Sequence, residues 1–120
     1  MADRVLFIGW RTPVRGREER GLEVLNDTIG LLGRMQQDRL IEKFDVVLLA
    51  PNDDLNGYIE VHGSAEQIAA VRENEEFRRN SADAGLAVDG LRHIDGFTND
   101  AVARQMALYQ ERIAHVPQRA

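Results

Sequence analysis

The sequence predicts an α+β domain in which helices cover one face of a four-stranded antiparallel sheet. Short runs of β-branched and aromatic residues alternate with longer segments whose apolar residues recur at helical spacing. Residues 57–63 (GYIEVHG) have the alternation of a strand, because apolar Ile59 and Val61 are interleaved with polar side chains. The chain has 120 residues and no cysteine, and this length is sufficient for a core without disulfides.

The first half of the chain supplies two strands and one helix. Residues 4–12 (RVLFIGWRT) are typical of a strand and are followed by Pro13. Helical spacing then extends over about residues 19–42, with an apolar stripe at Leu22, Leu25, Ile29 and Leu32. Residues 44–50 (FDVVLLA) predict the second strand, which Pro51 ends.

The second half supplies the amphipathic strand, two helices and a fourth strand. Ser64 and Gln67 match a capping box, so the second helix should begin at Ser64, with Phe77 as a later apolar anchor. Residues 91–97 (LRHIDGF) predict the fourth strand. Asn99 or Asp100 should then cap a last helix, whose apolar residues fall at helical spacing: Val102, Met106, Tyr109 and Ile113.

The resulting order, β-α-β-β-α-β-α, contains the split βαβ, ferredoxin-like arrangement. We expect one domain over residues 1–120, with an ordered core from about 4 to 113.

The first two strands are apolar on both faces, and such strands are normally covered on both sides. In the first strand, Val5 and Phe7 lie opposite Leu6 and Ile8. The last helix could cover the second face within one chain. We instead expect two copies to pack sheet against sheet about a twofold axis, burying on the order of 2,000 Å².

The strand order, the size, the polar third strand and the stretch N-E-E-F-R-R at residues 74–79 resemble the dimeric α/β-barrel superfamily. That group includes antibiotic-biosynthesis monooxygenases, muconolactone isomerases, YCII-related proteins and stress-responsive A/B-barrel proteins. The resemblance covers residues 4–113 and implies a homodimer with one cavity per protomer, between helix and sheet or inside the barrel. No subfamily signature is matched, and the fold does not select a reaction.

Candidate catalytic groups lie on the third and fourth strands. A histidine acting as general acid or base with a nearby carboxylate is the chemistry these residues suggest, and the candidates are Tyr58, Glu60, His62 and His93. Trp10, Arg11 and Asp95 are the candidate substrate-binding residues. His62 and His93 could meet across a cavity if strand register allows. The alternative is a polar cluster that is paired within a dimer interface.

Cofactors, metals and several kinds of partner are not expected. Glu60, His62, His93 and Asp95 have acceptable metal-ligand types, but all are spaced i, i+2 on strands and form no metal motif, so no metal is predicted. The net charge of −5 argues against nucleic-acid binding, and no apolar run is long enough for a membrane span. A cytoplasmic location is the default expectation.

Two classes of function fit these observations. The first is a homodimeric barrel protein that binds a small organic molecule and acts on it without a cofactor, through proton transfer as in isomerases, cyclases or monooxygenases. The second is a non-catalytic dimeric binding or assembly module. The sequence does not decide whether the protein is an enzyme.

Overall fold

The computed structural model describes residues 2–117. The elements are, in chain order, β1 (Arg4–Trp10), β2 (Thr12–Pro13), α1 (Glu18–Gln37), β3 (Lys43–Leu48), β4 (Gly57–Gly63), α2 (Ala65–Glu73), α3 (Glu75–Ala87), β5 (Val88–Asp89), β6 (Arg92–Phe97) and α4 (Asp100–Ile113). All four predicted strands and the three predicted helical regions are present. The differences are a small β2–β5 pair, a first helix that ends at Gln37 rather than near residue 42, and a break in the second helical region at Asn74.

The main sheet is antiparallel and has the order β3-β4-β1-β6, so the predicted ferredoxin-like sheet is confirmed. β1 is central. Its residue Ile8 pairs with Ile59 of β4 on one side and with His93 of β6 on the other. Residues that pair directly across strands point to the same face. The register therefore fixes which side chains share a surface.

The face of the sheet that bears Leu6, Ile8, Ile59 and Val61 packs against the helices, and we call it the helix face. These four side chains are at most 6 % exposed. The rest of the core cluster comes from the helices and the loop after α1, namely Leu31, Leu32, Met35, Ile41, Ile68, Val71 and Phe77. The strand alternation predicted for residues 57–63 is confirmed by this burial.

The buried face of α1 differs from the predicted stripe. Val24, Thr28, Leu31, Leu32 and Met35 are buried, whereas Leu22 is 65 % exposed. The buried positions follow the spacing i, i+4, i+7, i+8, i+11, so the helix is amphipathic but rotated relative to the expectation. Thr28 was not expected in the interior because it is polar.

The second helical region begins as predicted. Ser64 caps α2 by accepting from the backbone N–H of Gln67 at 3.1 Å, and the Gln67 side chain accepts from the Ser64 N–H at 2.9 Å. Asn74 interrupts the helix because its backbone is extended, and its side chain caps α3 by accepting from the Phe77 N–H at 2.9 Å. Phe77 is buried, as expected for an anchor.

The opposite face of the sheet, which we call the open face, carries Val5, Phe7, Val47, Tyr58 and Ile94. The rings of Phe7 and Tyr58 stack with centroids 5.3 Å apart, and Ile94 is 53 % exposed. No helix among residues 2–117 has the combination of length and apolar character that crossing a bilayer requires.

The last helix, α4, leaves most of its apolar stripe at the surface. Val102, Met106, Tyr109 and Ile113 are all exposed, and Ala101 is the one buried residue within α4. α4 therefore does not bury the open face within the described chain, 2–117, and the arrangement in which this helix alone covers the sheet is wrong.

Candidate functional site

A cavity of about 310 Å³ lies between the helix face of the sheet and helices α1 and α3. Its size falls within the range of small-molecule sites, and its lining is mainly apolar, as such sites usually are. Ile8 and Ile59 form part of its floor on the sheet. Leu22 and Leu48 also line it and are 65 % and 67 % exposed, so the cavity opens to solvent beside these residues.

Trp10 lines this cavity at the end of β1. It pairs across the sheet with Gly57, and a Cβ placed at Gly57 would clash with the Trp10 ring, its Cε2 atom being 2.9 Å away. Glycine at position 57 is therefore what allows the indole to lie over β4. The first residue of the GYIEVHG strand thus positions the single tryptophan of the chain.

Four polar residues of α1 and α3 line the cavity: Glu18, Thr28, Asn80 and Ser81. The Thr28 hydroxyl lies 2.7 Å from the Val24 carbonyl oxygen and 2.9 Å from Asn80 Oδ1. A hydroxyl has one proton and can donate to only one of these oxygens. With the Asn80 amide turned over, its NH₂ group donates to the Thr28 oxygen and both contacts become hydrogen bonds. This pair fixes the side of α3 that lines the cavity.

His93 is the titratable group on the sheet side of the cavity. Its ring packs against Phe77, with centroids 5.6 Å apart. Burial lowers the pKa of His93 below the ordinary value of 6.5, and the positive charge of Arg72 lowers it further, while Asp95 acts in the opposite direction. The imidazole is therefore mainly neutral at pH 7, the form that can accept a proton.

The His93 ring makes no hydrogen bond with any residue in the described chain, 2–117. A neutral imidazole has one N–H donor and one nitrogen acceptor. Neither is engaged by a partner among these residues, and the ring lines the cavity, so a ring nitrogen is free to bond a molecule there.

The predicted catalytic residues are divided between the two faces of the sheet. Tyr58, Glu60 and His62 lie on the open face, because His62 pairs with Val5. His93 lies on the helix face, because it pairs with Ile8. Val5 and Ile8 are three positions apart in the same strand and so point to opposite sides. The register of this chain therefore does not bring His62 and His93 together in one cavity, which was one of the two arrangements that the sequence allowed.

The predicted substrate-binding residues are also dispersed. Trp10 lines the cavity, but Arg11 and Asp95 do not. Arg11 is exposed, and its backbone N–H donates to the Asp89 carbonyl at 2.8 Å. Asp95 lies on the helix face beside Arg72, with 3.6 Å between its Oδ1 and the Arg72 Nη1.

Thr28, Asn80 and Ser81 are not among the site residues predicted from the sequence. A usable signal existed on α3, since Asn80, Ser81 and Ala84 follow Phe77 at i+3, i+4 and i+7 and therefore share its side of the helix. Charged residues surround this position in the sequence, at residues 75, 76, 78, 79 and 83, and they obscured it. No comparable signal marked Thr28, because the predicted apolar stripe of α1 contained Leu32 but not Val24 or Leu31, the other residues that are buried beside Thr28.

Comparison of structures shows likeness at low sequence identity. A dimeric protein of unknown function with a ferredoxin-like fold from Bacteroides fragilis has a TM-score of 0.59 and 14% identity, covering 78% of this chain and 95% of that one. A protein described as an antibiotic biosynthesis monooxygenase, from Chloroflexus aurantiacus, has a TM-score of 0.55 and 14% identity, covering 80% and 93%.

SnoaB, a cofactor-independent oxygenase from Streptomyces nogalater, has a TM-score of 0.51 and 16% identity, covering 81% of this chain and 92% of its own. No protein-family model matches the sequence, and no curated protein matches it significantly. The likeness thus lies in the backbone, and it agrees with the resemblance to the dimeric α/β-barrel superfamily at the level of architecture. The chain has the ferredoxin-like fold.

Proposed function

We propose that the cavity beside His93 binds a small, largely apolar organic molecule and that His93 transfers a proton to or from it without a cofactor. The observation that carries this proposal is a neutral imidazole at an apolar cavity with neither ring nitrogen occupied by the protein. A general base needs a free acceptor nitrogen within reach of the proton that it removes.

The other cavity groups have separate tasks in this proposal. The Trp10 ring supplies an apolar surface against which a planar ligand can pack. The Asn80 amide and the Ser81 hydroxyl offer hydrogen bonds from α3, across the cavity from His93. Such groups can hold a ligand oxygen on which negative charge develops when a neighbouring C–H or O–H proton is removed. Isomerisation, cyclisation and oxygenation of an activated substrate can all begin with that step.

SnoaB gives the proposal support from a protein of the same fold, because it is a cofactor-independent oxygenase. Tyr58, Glu60 and His62 have no role in this reaction, since the sheet separates them from the cavity.

The functional unit in this proposal is a homodimer formed through the open face. Phe7, Tyr58 and Ile94 form an apolar surface on that face, and the exposed side of α4 adds Met106 and Tyr109. Apolar surfaces of this kind are typical of interaction sites. The Bacteroides fragilis protein with the same fold is dimeric, which supports this arrangement.

A non-catalytic binding protein is the second candidate. One observation favours it: Asp95 is near enough to influence the pKa of His93 but makes no hydrogen bond to the ring. Catalytic histidines are commonly oriented by such a bond. In this alternative the cavity holds the same class of ligand and releases it unchanged.

A binding and exchange experiment separates the two candidates. One- to three-ring phenols and aromatic ketones would be screened by thermal shift and by Trp10 fluorescence, which is unambiguous because the chain has one tryptophan. Each compound that binds would be incubated with the protein in D₂O, and loss of its acidic C–H protons followed by NMR. Protein-dependent exchange is the result expected for an enzyme, whereas binding without exchange indicates the binding protein.

Two histidine variants assign the exchange to a residue. His93→Gln should retain binding and lose exchange, because glutamine fills similar space but cannot accept the proton. His115→Gln is the matched control, since His115 is exposed and remote from the cavity. Exchange that persists in His93→Gln, or the absence of any bound compound, would contradict the proposal.

A further inference from the structure

A second cluster of chemically active side chains lies across the sheet from the cavity, on the open face. Asp45 of β3 pairs directly with Glu60 of β4, and His62 is two residues further along β4 on the same face. His62 Nε2 is 3.3 Å from Glu60 Oε1 and 3.6 Å from Asp45 Oδ2. One donor atom from each residue can be chosen so that all three lie within 4.8 Å of one another.

The carboxylates of Asp45 and Glu60 lie on directly paired residues and repel each other. Like charges directly opposite on neighbouring strands destabilise a sheet. Lys43 offers partial compensation, with its Nζ 3.5 Å from Asp45 Oδ2, but its side chain is 59 % exposed. An ion pair so exposed contributes little, and the ammonium is easily displaced. A cation located between Asp45 and Glu60 would neutralise both.

The imidazole of His62 provides an independent observation. Its side chain is 14 % exposed, and Nε2 itself has no solvent contact and no hydrogen-bond partner within residues 2–117. Both carboxylates are near, yet neither has the geometry of a hydrogen bond to this nitrogen. An imidazole nitrogen that is buried without a partner is costly. It is directed into the space between the two carboxylates, where a ligand would supply the missing partner.

The two separations from His62 Nε2 match those between ligands of a tetrahedral metal ion. With metal–ligand bonds of about 2.0–2.1 Å, neighbouring ligands in a tetrahedron are about 3.3 Å apart. The two observed separations from Nε2 are 3.3 and 3.6 Å. One imidazole nitrogen among the donors disfavours Mg²⁺ and Ca²⁺, which prefer oxygen alone, and suits first-row transition ions.

We propose that Asp45, Glu60 and His62 form a binding site for a divalent transition-metal ion of the Zn²⁺ class, with a fourth position left for water. The site is independent of the cavity and of His93, because it lies on the other side of the sheet. In the sequence, the residues of acceptable ligand type were Glu60, His62, His93 and Asp95. The register instead brings Asp45 to the site and excludes the other two residues.

The proposal is tested by titrating the metal-free full-length protein with Zn²⁺ in a calorimeter, with stoichiometry checked by elemental analysis after dialysis. One Zn²⁺ per chain should bind, and Mg²⁺ should not bind under the same conditions. His62→Gln should weaken Zn²⁺ binding by more than about a hundredfold, beyond the 10- to 100-fold loss typical of residues outside the ligand shell. His115→Gln, which changes an exposed histidine outside the cluster, should bind as the parent protein does.

A second variant separates ligand loss from misfolding. Asp45→Asn should lose Zn²⁺ binding while its melting temperature without metal is equal to or above that of the parent, because one of the two opposed charges is gone. Unchanged Zn²⁺ affinity in both His62→Gln and Asp45→Asn would overturn the proposal. So would the absence of stoichiometric binding to the parent protein, or equal affinity for Mg²⁺.

Discussion

The two faces of the main sheet use the same strands for different purposes. On the helix face, Ile8, Ile59 and Val61 are buried against helices, and the polar side chain of His93 lines a cavity. On the open face, apolar Phe7 and Ile94 alternate with the charged cluster around His62, and no helix covers them within residues 2–117. Alternation along each strand thus places the core and the cavity on one face of the sheet, and the exposed apolar and charged groups on the other.

The largest expected effect comes from the core of the helix face. Ile59→Ala should lower the free energy of unfolding by about 2–5 kcal/mol, since a nearly inaccessible side chain is removed and leaves a cavity. Urea denaturation followed by circular dichroism measures this change. Leu86→Ala, at a position that is 66 % exposed, is the control and should stay within about 0.5 kcal/mol of the parent protein. Equal losses in the two variants would contradict the assignment of the core.

A charged substitution on the open face should weaken self-association and leave the folding of the chain nearly unchanged. Ile94→Glu places a charge in the proposed dimer interface and should weaken self-association by on the order of 2 kcal/mol or more, with little change in secondary structure. Sedimentation equilibrium over a concentration series measures the dissociation constant. Leu86→Glu puts the same charge at an exposed position on α3 and should leave the dimer intact. A parent protein that sediments as a monomer would remove the open face as an interface.

Gly57, on the helix face of β4, leaves room for the Trp10 ring that lines the cavity. Gly57→Ala should destabilise the protein by about 1–3 kcal/mol, because the new methyl group would overlap the Trp10 ring and the indole must move. Trp10 emission reports the displacement directly. An unchanged emission spectrum together with unchanged stability would show that the indole does not lie over β4.

The pH dependence of the free energy of unfolding tests the environment of His93. Its pKa is lowered in the folded state, so the unfolded chain binds the proton more tightly. The corresponding stability is fully present above the unfolded pKa of about 6.5 and is lost as the pH falls toward the folded value. Unfolding free energies at about pH 8 and about pH 5 should therefore differ less in His93→Gln than in the parent protein. An identical difference in both would place His93 in an ordinary solvated environment.

A small gain in stability is expected from a substitution in α1, at a position outside the cavity lining and outside the cluster of Asp45, Glu60 and His62. Gly33 is inside the helix, and a Cβ at this position would meet no atom within 4 Å. Gly33→Ala should therefore raise the free energy of unfolding by about 0.5–1 kcal/mol through helix propensity alone. Thermal and urea denaturation measure it, and a loss of stability would show that Gly33 is needed for a close contact.

The sequence was sufficient to predict the sheet but not the site. Strand alternation and turn residues fixed β1, β3, β4 and β6, and the capping box located the start of α2, because these signals are local. The relation of His62 to His93 was not local: it depends on the register of β4 and β6 against β1. Asp45 was missed for the same reason, since its proximity to His62 arises from pairing between β3 and β4.

Thr28, the α1 residue that pairs with Asn80 beside the cavity, was not predicted because the buried face of α1 is rotated relative to the predicted stripe. The apolar stripe of α1 admitted two phases, and the actual phase buries Thr28 and exposes Leu22. Contacts with α3 select that phase, and the Thr28–Asn80 contact is one of them. Such contacts between distant segments do not appear in the periodicity of either helix.

The most direct test of the division between the faces is NMR of the three histidine side chains during titration with a compound that binds. His93 reports the cavity, His62 the open face, and His115 a remote exposed position. The imidazole signals of His93 should shift in proportion to the bound fraction, while those of His62 and His115 remain in place. A ligand that shifts His62 and leaves His93 unchanged would place the binding site on the open face and contradict the assignment of ligand binding to the helix face.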